Sequence, residues 1–220
     1  MQFARHGHAV VGLNDTFIMV SGSRKEVGHA SQKVELYDTN QDEWIELQNL
    51  NEGRHYHSCC SFENKFVFIF GGIHNQSKKY SNTIERLNFQ LADIANAKWA
   101  KISIGEASFY NPGQSQISAR QGAGMCQFAE NEILIVGGFN GKFLPDFYTF
   151  KVNPTNGTLS SGNKYTRQNG SQTLFPFQVP TVGNTDTRES LAVDWSNMNL
   201  FSFKNNNWTT VMSVKAPQAQ

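Results

Sequence analysis

A strand-and-turn pattern recurs three times along the chain, and a repeat of this kind constrains the fold more than any single motif could. The first unit opens with Arg5, His6, Gly7 and His8, and its apolar run over residues 16–20 stops at Ser21 and Gly22. The second opens with Arg54, His55, Tyr56 and His57, and its run over residues 65–70 stops at Gly71 and Gly72. The third opens with Arg120, Gln121, Gly122 and Ala123, and its run over residues 132–136 stops at Gly137 and Gly138. From the opening arginine to the last glycine is 17 residues in the first unit and 18 in the other two. After each glycine comes a variable polar loop and a further strand-like segment, at residues 34–38, 83–89 and 147–152. In the first two units a tryptophan follows, Trp44 and Trp99.

Each unit therefore reads as four short strands. The inner pair is apolar on both faces and the outer pair alternates, as expected of a sheet buried most deeply at its inner edge. One such sheet cannot bury both faces alone, so neighbouring units must stack. A fourth unit is degenerate. Phe175, Pro176 and Phe177 open it, residues 190–193 and 199–203 supply strands, and Trp208 closes it, five residues after Phe203 against six from Asp38 to Trp44. The units span roughly residues 3–50, 54–102, 120–160 and 174–212. Long loops are expected at 103–119 and 153–172, and a tail at 213–220.

The glycine doublet closing an apolar strand, the aromatic or Tyr-Asp strand after a loop, and the tryptophan about six residues on together resemble the kelch repeat. The resemblance implies an all-β fold, a β-propeller of kelch type with about four four-stranded blades visible. Propellers of that family close with more blades than this, so the chain is expected to be part of a larger ring. The first unit departs from the pattern with Ser21-Gly22, the third lacks the tryptophan and offers Leu159 in its place, and the fourth lacks the doublet. The family also implies a protein-interaction module, a scaffold or adaptor subunit of a larger assembly. Ubiquitin-ligase substrate recognition and cytoskeletal or axonemal complexes are the roles that follow from it.

Charge supports no other class of partner. Nineteen Lys and Arg residues stand against 18 Asp and Glu, a net charge of +1 with no basic stripe, so nucleic acid is not an expected partner. No apolar run approaches the ~20 residues that span a bilayer, and the first residues carry no signal-type segment, so no membrane association is expected. The three cysteines, Cys59, Cys60 and Cys126, are odd in number and unpatterned. That fits a reducing, cytoplasmic setting, with association to the cytoskeleton as a further expectation. Cys60 and Cys126 each lie six residues after a repeat arginine, a shared inner-strand position that reads as packing.

The residues that could carry chemistry divide in the same way. The glycine doublets match no phosphate-loop spacing and serve as strand ends. His6 and His8, like His55 and His57, alternate along a strand and could in principle share a metal across two blades. The third unit has Gln121 and Ala123 there instead, so no metal and no other cofactor is expected. Carboxylates sit singly on turns and outer strands with no nucleophile–base pairing, so no catalytic residue is assigned. The alternatives are a metal-dependent or sugar-modifying enzyme on a kelch-like propeller, or a carbohydrate-binding one. Arg5, Arg54 and Arg120 either tie blade to blade or, as the resemblance implies, present positive charge to an acidic partner motif. The sharper partner-binding candidates lie in the loops after the doublets: His74 and Tyr80 in one, Phe139, Asn140, Phe143 and Leu144 in the other. Phe143 and Leu144 are apolar in a loop, and either fold back or meet a partner.

Overall fold

A computed structural model of the protein describes residues 1–25, 29–74, 77–89, 91–102, 116–144, 146–166, 190–194, 199–204 and 207–213. Its first sheet has the order β1 (Ala9–Leu13), β2 (Phe17–Lys25), β3 (His29–Asp38), β4 (Glu43–Leu47). A two-residue strand β5 (Arg54–His55) then leads into a second sheet. That sheet holds β6 (Ser58–Phe62), β7 (Phe66–Phe70), β9 (Ile84–Asn88) and β10 (Trp99–Ile102). The short β8 (Ile73–His74) pairs with β5 beside it, and a 3-10 segment over Leu91–Asn96 precedes β10. The third sheet is β11 (Gly124–Ala129), β12 (Glu132–Val136), β13 (Asp146–Val152), β14 (Leu159–Thr166). A fourth contains β15 (Ser190–Asp194), β16 (Asn199–Lys204) and β17 (Asn207–Ser213), so it shows three strands among the described residues where four were expected. All pairings are antiparallel, and β1, β6, β11 and β15 lie side by side as the inner strands of successive blades. The protein is an all-β propeller structure.

Strand β7 shows why these sequences need stacked sheets. Every one of its residues is buried. Phe66, Phe68 and Phe70 pack with Met125, Ile133, Ile135 and Tyr148 of the third sheet, while Val67 and Ile69 point the other way into Leu13, Met19, Val34 and Leu36 of the first. Alternating side chains thus feed two cores, each filled from two blades. Among the described residues the far side of the first sheet is less covered, with Val10 46% and Ile18 37% exposed. The matching positions of the second sheet, Val67, Leu87 and Trp99, are covered by the first sheet.

Two expected features differ. Of the segment 153–172 expected as a loop, 153–166 instead make a tight turn, with Asn153 N donating to Thr158 O and Gly157 N to Asn153 O, that reverses the chain into β14, while 167–172 lie outside the described residues. Its residues Ser160, Ser161, Gly162 and Asn163 are poor strand formers, and only pairing with β13 makes them one. Leu159 does face the second sheet, 6% exposed, on the side where Trp99 faces the first. The expected opening of the fourth unit at Phe175–Phe177 lies outside the described residues.

Candidate functional site: the blade joints and the rim above them

The opening arginines build the joints. Arg5 donates through Nε and Nη2 to Glu35 Oε2 at 2.9 and 2.8 Å and through Nη1 to Gly22 O at 2.6 Å. Arg54 donates from Nη2 to Glu85 Oε1 at 2.6 Å and from Nη1 to Gly71 O at 2.9 Å. Arg120 donates from Nη1 to Asp146 Oδ1 at 2.7 Å and to Gly137 O at 2.8 Å. Each arginine reaches the glycine 17 residues on. This aligns Gly22 with Gly71 and Gly137, and corrects the first unit's doublet from Ser21-Gly22 to Gly22-Ser23. The carboxylate register slips once. Val20 faces Glu35 and Ile69 faces Glu85, but Ile135 faces Tyr148, and the acid has moved two residues upstream to Asp146. The Tyr148 hydroxyl donates to Asp146 Oδ2 at 2.9 Å. Burial disfavours the charge on Asp146, yet the hydrogen bonds and charge of Arg120, with Tyr148 and Lys164, hold its carboxyl below the ordinary value.

The arginine side chains are 0–1% exposed, so no partner can reach the guanidinium groups of Arg5, Arg54 or Arg120. Their expected alternative role on the rim is thereby corrected: each ties its lead-in segment to its own sheet. The contact to the previous blade is made by the backbone. A Cβ on Gly22 would lie 2.4 Å from Arg54 O, and one on Gly71 2.6 Å from Arg120 O, both at positive φ. Gly71→Ala should therefore cost about 2–3 kcal/mol, combining left-handed strain with a clash against backbone that cannot rotate away. Gly12→Ala, where a Cβ meets nothing within 4 Å, should be near neutral. Urea unfolding of both variants tests this, and equal values would mean the joint yields freely.

The histidines belong to the first joint. His57 is buried, its Nε2 2.9 Å from Ser21 Oγ, and a Cβ on Gly22 would come within 2.5 Å of its Cε1. Burial, then the charges of Arg54, His55, His8 and Arg5, holds its pKa well below the ordinary value, so the ring is neutral. His6 is exposed and His8 partly buried. Among the described residues no three His, Cys, Asp or Glu side chains group as metal ligands. Cys60 and Cys126 are 5% and 4% exposed on the inner strands, and burial pushes the Cys60 thiol well above its ordinary pKa and that of Cys59 up to about 12.

Above the joints lies the rim. Two residues after each arginine the backbone is left-handed, at Gly7 (φ 63°), Tyr56 (φ 54°) and Gly122 (φ 60°). These residues link blade to blade: Tyr56 N donates to Gly7 O at 2.6 Å, and Gly122 N to Tyr56 O at 2.8 Å. The loop after β7 closes through His74 N to Lys79 O at 2.9 Å and a bridge between Ile73 and Tyr80. The loop after β12 is held by reciprocal 2.9 Å bonds between Gln121 and Phe139, and Asn140 N donates to Lys142 O at 3.1 Å. The Phe139 ring lies 5.0 Å from Phe143 and 6.3 Å from Tyr80, so the two loops meet in one aromatic cluster. Tyr80, Phe139, Asn140, Phe143 and His74 are partly exposed, whereas Leu144 folds back to 6% exposure with its N–H on Gly138 O. Leu144 is thus a packing residue and leaves the set of partner-binding candidates. Lys78, Lys79 and Lys142, which lie within the candidate loops but are not singled out from sequence, are exposed there and make no ion pair among the described residues. Their signal was the lack of any Asp or Glu across residues 71–81 and 137–144.

Comparison with known proteins agrees with this architecture. The family model described as the KLHDC2/KLHL20/DRC7 Kelch-repeats domain matches residues 2–159. Human Kelch domain-containing protein 3 is 29% identical over 103 residues, which are 46% of this chain and 25% of that protein. The aligned region spans about a quarter of that relative's length. No helix among the described residues is long and apolar enough to cross a membrane. With a repeated Arg–carboxylate–glycine joint in three consecutive four-stranded blades and a family match across all three, the chain belongs to the kelch-repeat family, whose domains generally serve as protein-interaction modules.

Proposed function

We propose that this protein binds other proteins through the rim formed by the loops after β7 and β12, acting as a scaffold or adaptor in a cytoplasmic assembly. The observation that carries the reading is the pairing of a partly exposed aromatic cluster, Tyr80, Phe139 and Phe143, with the exposed cations Lys78, Lys79 and Lys142. Aromatic anchors rimmed by one sign of charge suit a polypeptide that offers apolar side chains and carboxylates. The same geometry weighs against a metal-dependent or sugar-modifying enzyme. Glu35, Glu85 and Asp146, the buried acids among the described residues, are each engaged by an arginine, so none is poised as a general acid, base or ligand.

The test compares the wild-type protein with the triple variant Lys78→Glu, Lys79→Glu, Lys142→Glu, each recovered from its own cells with quantitative mass spectrometry of the bound proteins. Each exposed charge pair contributes about 0.2–1 kcal/mol, so three reversals should lower recovery of rim-dependent partners by roughly tenfold or more. Unfolding of the triple variant should match wild type, since these lysines make no ion pair among the described residues. An unchanged partner set would remove the rim from consideration. The identity of the partners separates a ubiquitin-ligase substrate receptor from a cytoskeletal or axonemal subunit.

A further inference from the structure

Glycine occupies two of the three left-handed positions that link the blades, and tyrosine occupies the third. A bulky side chain is rare in that region because its Cβ crowds the backbone, and Gly7 and Gly122 avoid the strain that Tyr56 carries. Residues held in such conformations gather at functional sites, because packing or binding must compensate for the strain. Here backbone bonds to Gly7 and Gly122 hold the conformation, while the side chain is only partly covered. Tyr56 is 40% exposed, one of three large hydrophobic residues exposed to that degree among the described residues. Its ring rests against Gly7, whose Cβ would lie 2.9 Å from the ring's Cε1, and meets the His55 ring edge-on at 5.1 Å. The hydroxyl makes no hydrogen bond among the described residues, so an apolar face and a polar tip are both turned outward.

Position adds to this. Tyr56 N bonds to the first blade and Tyr56 O receives a bond from the third, so the residue sits where three blades converge beside the inner strands. Gly122 joins it, through Gln121, to Phe139 and the aromatic cluster of the loops. Tyrosine in such a setting supplies large contact area with few rotatable bonds and dominates many protein interfaces.

We infer that Tyr56 is the central anchor of the rim: a partner polypeptide lays an apolar side chain on its ring and accepts a hydrogen bond from its hydroxyl through a backbone carbonyl. The assignment rests on the protein-binding reading of the rim, and locates that contact where the first three blades meet rather than in the loops alone.

The test uses peptides selected on the wild-type protein from a random display library, with affinities then measured on three variants. Tyr56→Gly restores the residue its sister repeats carry, so its urea midpoint should equal or exceed that of wild type, while selected peptides should bind roughly tenfold more weakly. Tyr56→Phe should lose only a few-fold, the share of the hydroxyl. A lower midpoint for Tyr56→Gly would show the ring to be a packing element over Gly7 and overturn the inference. Unchanged affinity on Tyr56→Gly with loss on Lys142→Glu would overturn it too, leaving the loop rim as the binding site. Unchanged affinity on both, or failure to select any peptide, would overturn the inference together with the reading beneath it.

Discussion

Replacing Glu85 by Ala should lower the stability of this protein by about 3 kcal/mol, since it removes the buried carboxylate nearest Arg54 and leaves the guanidinium only Glu52, at 3.3 Å. Arg54 is 1% exposed and its Nη2 lies 2.6 Å from Glu85 Oε1. The same carboxylate accepts from Asn51 N at 2.7 Å, Asn51 Nδ2 at 2.8 Å and Glu52 N at 3.2 Å. Truncation therefore removes the closer of the two carboxylates beside Arg54, together with the acceptor of three donors that pin the chain between the first and second blades. The double variant Arg54→Ala, Glu85→Ala should cost well under the sum of the single changes, because neither charge is then left alone. Urea unfolding of the cycle supplies the measurement. A single-variant loss below about 1 kcal/mol would mean that water reaches the pair.

Trp99→Ala should also cost about 3–5 kcal/mol, whereas Trp44→Ala should cost about half as much or less. The repeat makes these residues equivalent: Trp44 lies opposite Tyr37, and Trp99 opposite Leu87, in matching registers. Sequence alone gives no reason to separate them. In the structure Trp99 is 6% exposed, packs in the core shared by the first two blades, and donates from Nε1 to Gln48 O at 3.2 Å. Trp44 stacks on Tyr37 at 4.9 Å on the far side of the first sheet, the side where Val10 and Ile18 are exposed. Its truncation removes contacts from one side only. Equal losses for the two variants would show that the far face of the first blade is covered in solution.

These two cases mark how far the chain can be read without its structure. The paired inner strands, the glycine doublets and the tryptophan spacing were legible, because burial on both faces forces continuous apolar runs and a tight strand end admits only small residues. Glu35 and Glu85 carry a signal in sequence: an acid directly after an apolar residue of a strand at one position of two repeats, Val34-Glu35-Leu36 and Ile84-Glu85-Arg86-Leu87. An acid in such a place is a buried one, and a buried acid needs a cation. Asp146 carried no such signal, since its register slips two residues and only the Tyr148 hydroxyl and Arg120 show that it serves the same joint.

The direction of a side chain at a blade joint is where local reasoning stops. Arg5, Arg54 and Arg120 can, from sequence, either tie blades together or face a partner, and the carboxylates of distant strands, held within 3 Å, draw them inside. Leu144 is buried through the hydrogen bond of its own N–H to Gly138, while the neighbouring Phe143 stays at the surface on Phe139. Tyr56 stands in sequence where its sister repeats have glycine, but its left-handed backbone is imposed by hydrogen bonds to Gly7 and Gly122, residues of two other blades. The sequence by itself determined the strands, their faces and the need to stack, since these follow from the period of burial along one segment. Only the tertiary structure decided which polar groups are consumed in holding blades together and which are left for a partner, since that depends on distances between segments tens of residues apart.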